Sequence, residues 1–269
     1  MPYAELWTKT TASKEIASFY LKKFGHLLKW KDYKETILEV GCAEGSVTKE
    51  LLFPFVKNHV KKLVAIDKLD DMISCAKKAN TIAEIDFQVM DAMDGESVTK
   101  KANQFDHIFS TMVAHWITDN KTYLTNLHRM LKPGGQIFQT QLTNEQVLRK
   151  SFQKQFKEGR WKKYVPDDPV FPDYTDEPIK YVKNLFQEVG FEVEFCEMKD
   201  DVSIVENFGD FLKPLFYIYK HLDKIPKDLH EEFFQYHIQN SRNFCIYRGE
   251  PDKYEYHYQT LICIGSKTK

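Results

Sequence analysis

The sequence predicts an α/β fold: a doubly wound, seven-stranded sheet with helices on both faces and a helical, aromatic-rich cap. In residues 1–142, five short apolar segments alternate with segments of helical periodicity, a pattern typical of parallel strands joined by crossover helices. Aromatic residues make up 14% of the chain and are concentrated in residues 152–174 and 208–258, which indicates an elaboration of that scaffold. A length of 269 residues allows one such domain.

The first half contains the alternating elements in a regular order. Apolar residues recur at helical spacing over residues 5–30, which predicts an N-terminal helix or pair of helices. The segments that follow predict a strand at 36–41, a helix at 46–56 that meets Pro54, a strand at 62–67, a helix at 69–80, strands at 85–91 and 105–110, a helix at 121–131 and a strand at 136–141.

The second half predicts the cap and the last two strands. Residues 145–164 are helical, prolines punctuate a loop up to residue 178, and an amphipathic helix at 179–189 precedes a strand at 191–198. Residues 205–244 are again helical, and an apolar segment at 256–265 predicts the last strand. We therefore expect an N-terminal segment of residues 1–34 and a main domain of residues 35–269, with cap insertions near 145–178 and 203–250.

Composition argues against several classes of protein. The 38 Lys and Arg balance 39 Asp and Glu, so no basic surface of the kind that attracts nucleic acid is expected. No apolar run approaches the roughly 20 residues that span a bilayer, and the N-terminus lacks the pattern of a signal or transit peptide. The five cysteines are scattered and never form Cys-x-x-Cys. We expect a reduced, cytoplasmic protein without a structural metal or a membrane contact; the oligomeric state is left open.

The clearest functional signal is the pattern Glu39-x-Gly41-x-x-x-Gly45 at the turn from the first strand into a helix. Glycines let the backbone turn tightly and approach a ligand, and the helix that follows presents unpaired N–H groups. Asp67 ends the next strand beside the same crevice, where a carboxylate can accept hydrogen bonds from ribose hydroxyls. A glycine turn alone is common in strand-helix-strand units, but with Asp67 it indicates a ligand that contains a nucleoside.

Other residues favour S-adenosylmethionine over other nucleoside cofactors. The third strand ends in Met90-Asp91-Ala92, which puts a carboxylate and a small residue where an adenine amino group can bind. The dinucleotide fingerprint Gly-x-Gly-x-x-Gly is absent, because Ala43 and Ser46 stand in its second and third glycine positions. The loop also lacks the Gly-Lys-Ser/Thr ending of a P-loop, which argues against nucleotide hydrolysis.

With these motifs the sequence resembles the class I S-adenosylmethionine-dependent methyltransferases, whose sheet is Rossmann-like. It is more narrowly similar to the insect juvenile hormone acid O-methyltransferase family, over most of the chain. The motifs that carry this narrower resemblance are Ala4-Glu5-Leu6-Trp7, the loop Gly41-Cys42-Ala43-Glu44-Gly45-Ser46-Val47-Thr48, the stretch Phe105-Asp106-His107-Ile108-Phe109-Ser110, and His115-Trp116.

The resemblance implies methyl transfer from S-adenosyl-L-methionine to the carboxylate of a terpenoid acid, juvenile hormone acid or farnesoic acid, with residues 1–34 over the active site. It also implies a set of cofactor-binding residues: Glu39, Gly41, Cys42, Gly45, Asp67, Lys68, Asp91, Ala92 and Ser110. A long isoprenoid acid needs an apolar pocket with one polar end, which aromatic residues of the cap can line. Any single cap aromatic, such as Phe208 or Phe233, is more simply interpreted as core packing.

His115 and Trp116 follow the fourth strand at the edge of the sheet where ligands of doubly wound folds bind. The indole N–H of Trp116 can only donate, which suits a carboxylate, and the resemblance gives this residue that role. His115 is assigned to the same site. It either borders the methionine end of the cofactor or is a hydrogen-bonded structural histidine, and both interpretations stay open.

The N-terminal helix departs from the family pattern. A family glutamine there helps to bind the substrate carboxylate, but the corresponding stretch of this chain is Thr11-Ala12-Ser13-Lys14-Glu15. Lys14 is the candidate replacement, although a solvated surface lysine explains it equally well. The departure leaves three alternatives open: another small apolar acid as substrate, a hydroxyl or amine acceptor with His115 as the base, or a diverged paralogue that binds ligand with little or no catalysis.

Overall fold

A computed structural model of the chain describes residues 4, 7, 12–143, 146–157, 159–164, 172, 174, 176–217 and 222–268. The predicted start of the N-terminal helix at Glu5, the loop prolines Pro166 and Pro169, and the cap residue Tyr219 lie outside these ranges. The strands are β1 (Glu35–Val40), β2 (Val60–Asp67), β3 (Ile85–Val89), β4 (Phe105–Thr111), β5 (Leu131–Leu142), β6 (Phe191–Val205), β7 (Ile246–Tyr247) and β8 (Tyr254–Lys267).

The described helices are α1 (Ala12–Phe24), α2 (46–56), α3 (Asp70–Lys78), α4 (Gly95–Lys100), α5 (Asn120–Met130), α6 (Gln146–Lys157), α7 (Pro178–Val189), α8 (Phe208–Tyr217) and α9 (His230–Arg242). Within α2, Thr48–Leu52 is a π turn in which the Phe53 N–H donates to the Thr48 carbonyl. This wider turn makes room for Pro54, which has no N–H, so the helix continues to Val56. None of the described helices is long and apolar enough to cross a bilayer.

The strands form one eight-stranded sheet in the order β3-β2-β1-β4-β5-β8-β6, with the two-residue β7 paired to β8. The five strands from β3 to β5 are mutually parallel, which confirms the doubly wound architecture predicted from the alternation. Strands β1 and β4 are buried almost throughout, because helices cover both faces of this part of the sheet.

The last strand is antiparallel and lies between β5 and β6. Several boundaries differ from the predicted ones, and the largest differences are that β5 begins at Leu131 rather than at residue 136 and that β6 continues to Val205 rather than ending at Met198. β8 begins at Tyr254 rather than at residue 256. The extra part of β6 begins with three charged residues, Lys199-Asp200-Asp201, which do not indicate a strand by themselves. It is a strand because it pairs with the outer half of β8, from Lys199 opposite Thr260 to Val205 opposite Tyr254.

Buried side chains form two clusters that include opposite faces of the sheet and a third within the cap. One sheet cluster includes α5 and α7, and the other includes α1, α2 and α3. The cap cluster joins α6, α8 and α9 to β8 through residues such as Phe152, Phe208, Phe233 and Tyr256. The aromatic excess of the second half therefore packs this cap, as expected for its individual members.

Candidate active site

At two positions the loop between β1 and α2 has a backbone conformation that favours glycine. Gly41 has φ +72° and Gly45 has φ +81°, both in the left-handed region. A Cβ atom on Gly41 would lie 2.4 Å from the Val113 side chain, and one on Gly45 would lie 2.7 Å from the Phe87 ring. The predicted pattern of glycines is thus explained by close packing of the loop against β3 and against the segment after β4.

Asp67, at the end of β2, is hydrogen-bonded to this loop. Its carboxylate accepts hydrogen bonds from the Ala43 N–H at 3.1 Å and from the Leu69 N–H at 3.0 Å. Burial raises the pKa of Asp67 above its ordinary value. Two backbone donors leave a carboxylate with further lone pairs, so the group can still accept from ribose hydroxyls. Lys68, the next residue, is exposed.

Glu39 is buried at the carboxyl end of β1, and its Oε2 atom has no hydrogen-bond partner among the described residues. Burial, together with the nearby carboxylates of Glu44 and Asp67, raises the pKa of Glu39 to about 7. The neighbouring Cys42 is also buried, and burial raises the pKa of its thiol well above the usual range, which disfavours the nucleophilic thiolate. Its backbone N–H donates to the Ile66 carbonyl, which ties the loop to β2.

The unused oxygen of Glu39 and the close-packed glycine loop fit S-adenosylmethionine. A buried carboxylate without a partner is costly unless a cation or donor reaches it, and the methionine part of this cofactor carries an ammonium group. The same observation explains why an acidic residue precedes Gly41. Glu39, Gly41, Gly45 and Asp67 would hold the cofactor along the carboxyl ends of β1 and β2.

The other predicted cofactor residues differ from one another in exposure and in their hydrogen-bond partners. Asp91 is exposed after β3, where its carboxylate accepts from the Met93 N–H at 2.8 Å. The carbonyl of the buried Ala92 accepts from the Asn126 side chain at 2.8 Å. The hydroxyl of Ser110 is hydrogen-bonded to the Tyr123 hydroxyl at 2.8 Å inside the core, so the structure does not bring the Ser110 side chain to the loop.

A largely apolar pocket lies beside the loop, at the carboxyl ends of β4 and β5. It contains about 710 Å³ of empty space, part of which is open to solvent. Its apolar lining includes Trp7, Ile16, Met112, Leu142, Phe211 and Leu215, and its polar lining includes Ser13, His115, Trp116, Ser203 and Tyr258. Val113, which contacts Gly41, lies in sequence between Met112 and His115 of the pocket lining. The segment after β4 is therefore a shared wall between the glycine loop and the pocket.

His115 is a neutral hydrogen-bonding group in this pocket. It is buried, and burial lowers its pKa to about 3. Its Nδ1 atom accepts from the Leu142 N–H at 3.4 Å, which places the single ring proton on Nε2. The ring can therefore donate one hydrogen bond through Nε2 and is a poor base near neutral pH, which argues against the role of general base for a hydroxyl or amine acceptor.

Trp116 occupies the 3₁₀ turn Ala114–Trp116, next to His115. The two rings are 5.0 Å apart, and Trp116 also packs against the aromatic cluster of the cap. The structure thus brings together the two residues that the sequence assigns to the substrate, in one wall of one pocket. Their role in binding a substrate stays a prediction.

The structure does not bring Lys14 to the pocket. Its ammonium group forms an ion pair with the Glu50 carboxylate, 3.0 Å away, while Ser13 and Ile16 of the same helix line the pocket. Ser13 is not among the predicted site residues, although a signal for it is present in the sequence. Ser13, Ile16 and Tyr20 have the spacing of one helix face, and Ile16 and Tyr20 are buried.

Ser203 and Tyr258 were also missed, for a different reason. Their hydroxyl groups are 3.3 Å apart on β6 and β8. Both residues lie in the parts of those strands that pair only with each other and extend beyond β5. No local pattern marked this wall, because its position depends on pairing between distant segments.

The fold and the glycine loop fit a methyltransferase that uses S-adenosylmethionine. The methyltransferase domain family matches residues 38–139, which run from β1 into β5. The solved structure of the YcgJ protein from Bacillus subtilis has the same fold, with a TM-score of 0.61 and 12% identity over 95% of this chain and 99% of that one.

More narrowly, the chain is similar along nearly its whole length to juvenile hormone acid O-methyltransferases. It is 27% identical to the Bombyx mori protein over 99% of this chain and 98% of that protein. It is 25% identical to the Drosophila melanogaster protein over 94% of this chain and 87% of that protein. The resemblance expected from the sequence is confirmed at this level of identity.

Proposed function

We propose that this protein transfers a methyl group from S-adenosylmethionine to the carboxylate of a sesquiterpenoid acid, juvenile hormone acid or farnesoic acid, and forms the methyl ester. The observation that supports this proposal most is the apolar pocket that shares a wall with the glycine loop and contains His115 and Trp116. The names of the relatives from Bombyx mori and Drosophila melanogaster support the same substrate class.

The polar lining of the pocket suits a carboxylate that must remain nucleophilic. The described residues that line it include neutral donors but neither Lys nor Arg. Neutral donors offset part of the lost hydration of a carboxylate without neutralising its charge, whereas an ion pair would hold its electrons more strongly. The indole N–H of Trp116 and the Nε2–H of His115 are the groups we assign to this task.

The chain has little acid-base chemistry to perform in this reaction. A carboxylic acid with a pKa of about 4 to 5 is ionised at neutral pH, so no base must remove a proton. Bound S-adenosylmethionine supplies the methyl group on a sulfonium centre. The protein aligns the carboxylate oxygen with that carbon and excludes water, and such positioning contributes roughly 7–11 kcal/mol in favourable geometry.

The test is methyl transfer from S-adenosylmethionine labelled in its methyl group to a panel of matched acceptors. The panel contains farnesoic acid, juvenile hormone acid, dodecanoic acid as an unbranched acid, and farnesol, which has the same chain as farnesoic acid but no carboxylate. We expect methyl esters of the two terpenoid acids and no product from farnesol. Equal rates with dodecanoic acid would show that the substrate class is apolar acids in general rather than terpenoid acids. Methylation of farnesol would overturn the assignment of a carboxylate as the acceptor.

The pairing of Lys14 with Glu50 favours a second candidate, a paralogue that binds ligand with little catalysis. In that case Ser13 is the polar residue that the described part of α1 presents to the pocket in place of the family glutamine. Calorimetry that detects binding of both S-adenosylmethionine and farnesoic acid, together with no ester after prolonged incubation, would support this candidate over the enzyme.

A further inference from the structure

Two cysteines face each other across the antiparallel pair of β6 and β8, outside the pocket. Cys196 on β6 is the direct register partner of Cys263 on β8. Directly opposed residues in antiparallel strands have Cα atoms about 4.5–5.5 Å apart, which lies within the range of about 4.4–6.8 Å that a disulfide spans. Both are free thiols in the structure, and each lies close enough to shift the pKa of the other.

The two thiols have different surroundings. Cys263 is fully buried, and burial raises the pKa of its thiol well above the usual range. Cys196 is only partly buried, near the sheet edge that β6 forms. The neighbouring thiol of Cys263, together with the ammonium group of Lys183 on α7, lowers the pKa of the Cys196 thiol. An accessible thiol next to a buried one is the arrangement of an attacking cysteine and a resolving cysteine.

We propose that Cys196 and Cys263 form a reversible redox site, in which a small disulfide such as glutathione disulfide oxidises the pair to an intramolecular cross-strand disulfide. Cys196, as the thiolate, attacks one sulfur of glutathione disulfide. The S–S bond of that molecule breaks, and one glutathione leaves with the proton that Cys196 has lost. Cys263 then gives its proton to the second glutathione and attacks the Cys196 sulfur, which expels it. Two protein thiols are oxidised, and one glutathione disulfide is reduced to two glutathione thiols.

The other described cysteines do not have this geometry. Cys42 is buried in the glycine loop, Cys75 lies on α3, and Cys245 lies between α9 and β7. None of these three is on β6 or β8, so the register that opposes Cys196 and Cys263 brings no other described cysteine face to face with either one. Cys75 is partly buried, as Cys196 is, and serves as the matched control.

The test is to incubate the full chain with glutathione buffers of increasing disulfide content, stop exchange with acid, alkylate the remaining thiols and identify the linked peptides by mass spectrometry. We expect a Cys196–Cys263 link that disappears when dithiothreitol is added, and the same link in Cys75→Ser. Cys263→Ser should stop at a glutathione adduct on Cys196, and Cys196→Ser should leave Cys263 free. If a variant fails to fold, the presence or absence of the Cys196–Cys263 link in the wild-type chain still tests the proposal.

Two outcomes would overturn the proposal. One is that both thiols stay reduced in pure glutathione disulfide, and the other is that a glutathione adduct on Cys196 persists in the wild-type chain without conversion to the cross-link. Neither result bears on methyl transfer, which is measured separately in dithiothreitol.

Discussion

A neutral histidine beside the acceptor makes the proposed reaction insensitive to pH. Burial lowers the pKa of His115 to about 3, and the substrate carboxyl group is ionised above about pH 6. Neither group changes its charge between pH 6.5 and 9. At saturating S-adenosylmethionine, so that the titration of Glu39 with its pKa of about 7 does not limit cofactor binding, we therefore expect kcat/KM for farnesoic acid to vary by less than about threefold over this range, measured with labelled cofactor. A rise that follows one ionisation near the ordinary histidine pKa would instead assign His115 as a base and favour a hydroxyl or amine acceptor.

Trp116 offers a test of the donor role because phenylalanine keeps an aromatic ring and removes the N–H. If the indole donates to the carboxylate, Trp116→Phe loses a hydrogen bond to a charged group, worth about 1.5–3 kcal/mol. We expect kcat/KM to fall roughly 10- to 100-fold, with affinity for S-adenosylmethionine nearly unchanged. Trp30→Phe is the control, since Trp30 stacks on His59 away from the pocket. A parallel loss of cofactor affinity in Trp116→Phe would count against the role.

At the scale of elements, the cap depends on a buried polar network between α6 and α9. His237 Nδ1 lies 3.1 Å from both the Ser151 hydroxyl and the Gln155 side-chain oxygen, and the Ser241 hydroxyl donates to Ser151 at 2.9 Å. Gln155 also donates to the Phe233 carbonyl at 3.0 Å. Buried polar groups that satisfy one another fix the relative position of two helices more strictly than apolar contacts do.

This network makes stability depend on pH with a definite sign. Burial lowers the pKa of His237 from 6.5 to about 3, so the unfolded chain binds one more proton than the folded one between these values. The contribution of His237 to the free energy of unfolding is complete above about pH 6.5. It decreases as the pH falls, and at pH 5 about 2 kcal/mol of it has been lost. We expect the free energy of unfolding, measured with urea at pH 8 and pH 5, to fall by about 2 kcal/mol less in His237→Gln than in the wild type.

The difference in pH dependence between the wild type and His237→Gln isolates the contribution of His237 from the contributions of other groups that titrate in the same range. Burial raises the pKa of Glu39 to about 7, which has the opposite sign because that group stabilises the fold at low pH and loses its contribution as the pH rises. Its contribution is common to both proteins and cancels. His26→Gln, at an exposed residue, should follow the wild type. Identical pH dependence in His237→Gln and the wild type would contradict the assignment.

The elements also show which parts of the site are readable from sequence. The glycine loop and Asp67 were predictable because their signals are local: positive φ at fixed positions and a carboxylate at the end of the next strand. Lys14 is the predicted residue because its stretch corresponds to the family glutamine and an ammonium group can pair with a carboxylate. Which side chain of α1 faces the pocket depends instead on the phase of the helix, which places Ser13 there and Lys14 beside Glu50. Ser203 and Tyr258 depend on pairing between β6 and β8, a contact between segments 55 residues apart in the chain.

At the scale of the whole molecule, the site joins distant parts of the chain. The pocket takes residues from α1, from the turn after β4, from β6, from α8 and from β8, while the cofactor loop belongs to β1 and α2. A ligand that binds only when these segments are assembled stabilises the whole fold. At a concentration of one hundred times its Kd, a ligand adds about 2.7 kcal/mol to the free energy of unfolding.

We therefore expect S-adenosylmethionine to raise the Tm by several degrees in a concentration-dependent way. Gly41→Ala should abolish this shift, because its Cβ would meet Val113 at 2.4 Å and its φ of +72° is strained for alanine. Gly41→Ala/Val113→Ala should recover part of the shift, since the clash is removed but the backbone strain remains. Gly95→Ala is the matched control, because nothing lies within 4 Å of a Cβ added there. An undiminished shift in Gly41→Ala would place the cofactor elsewhere.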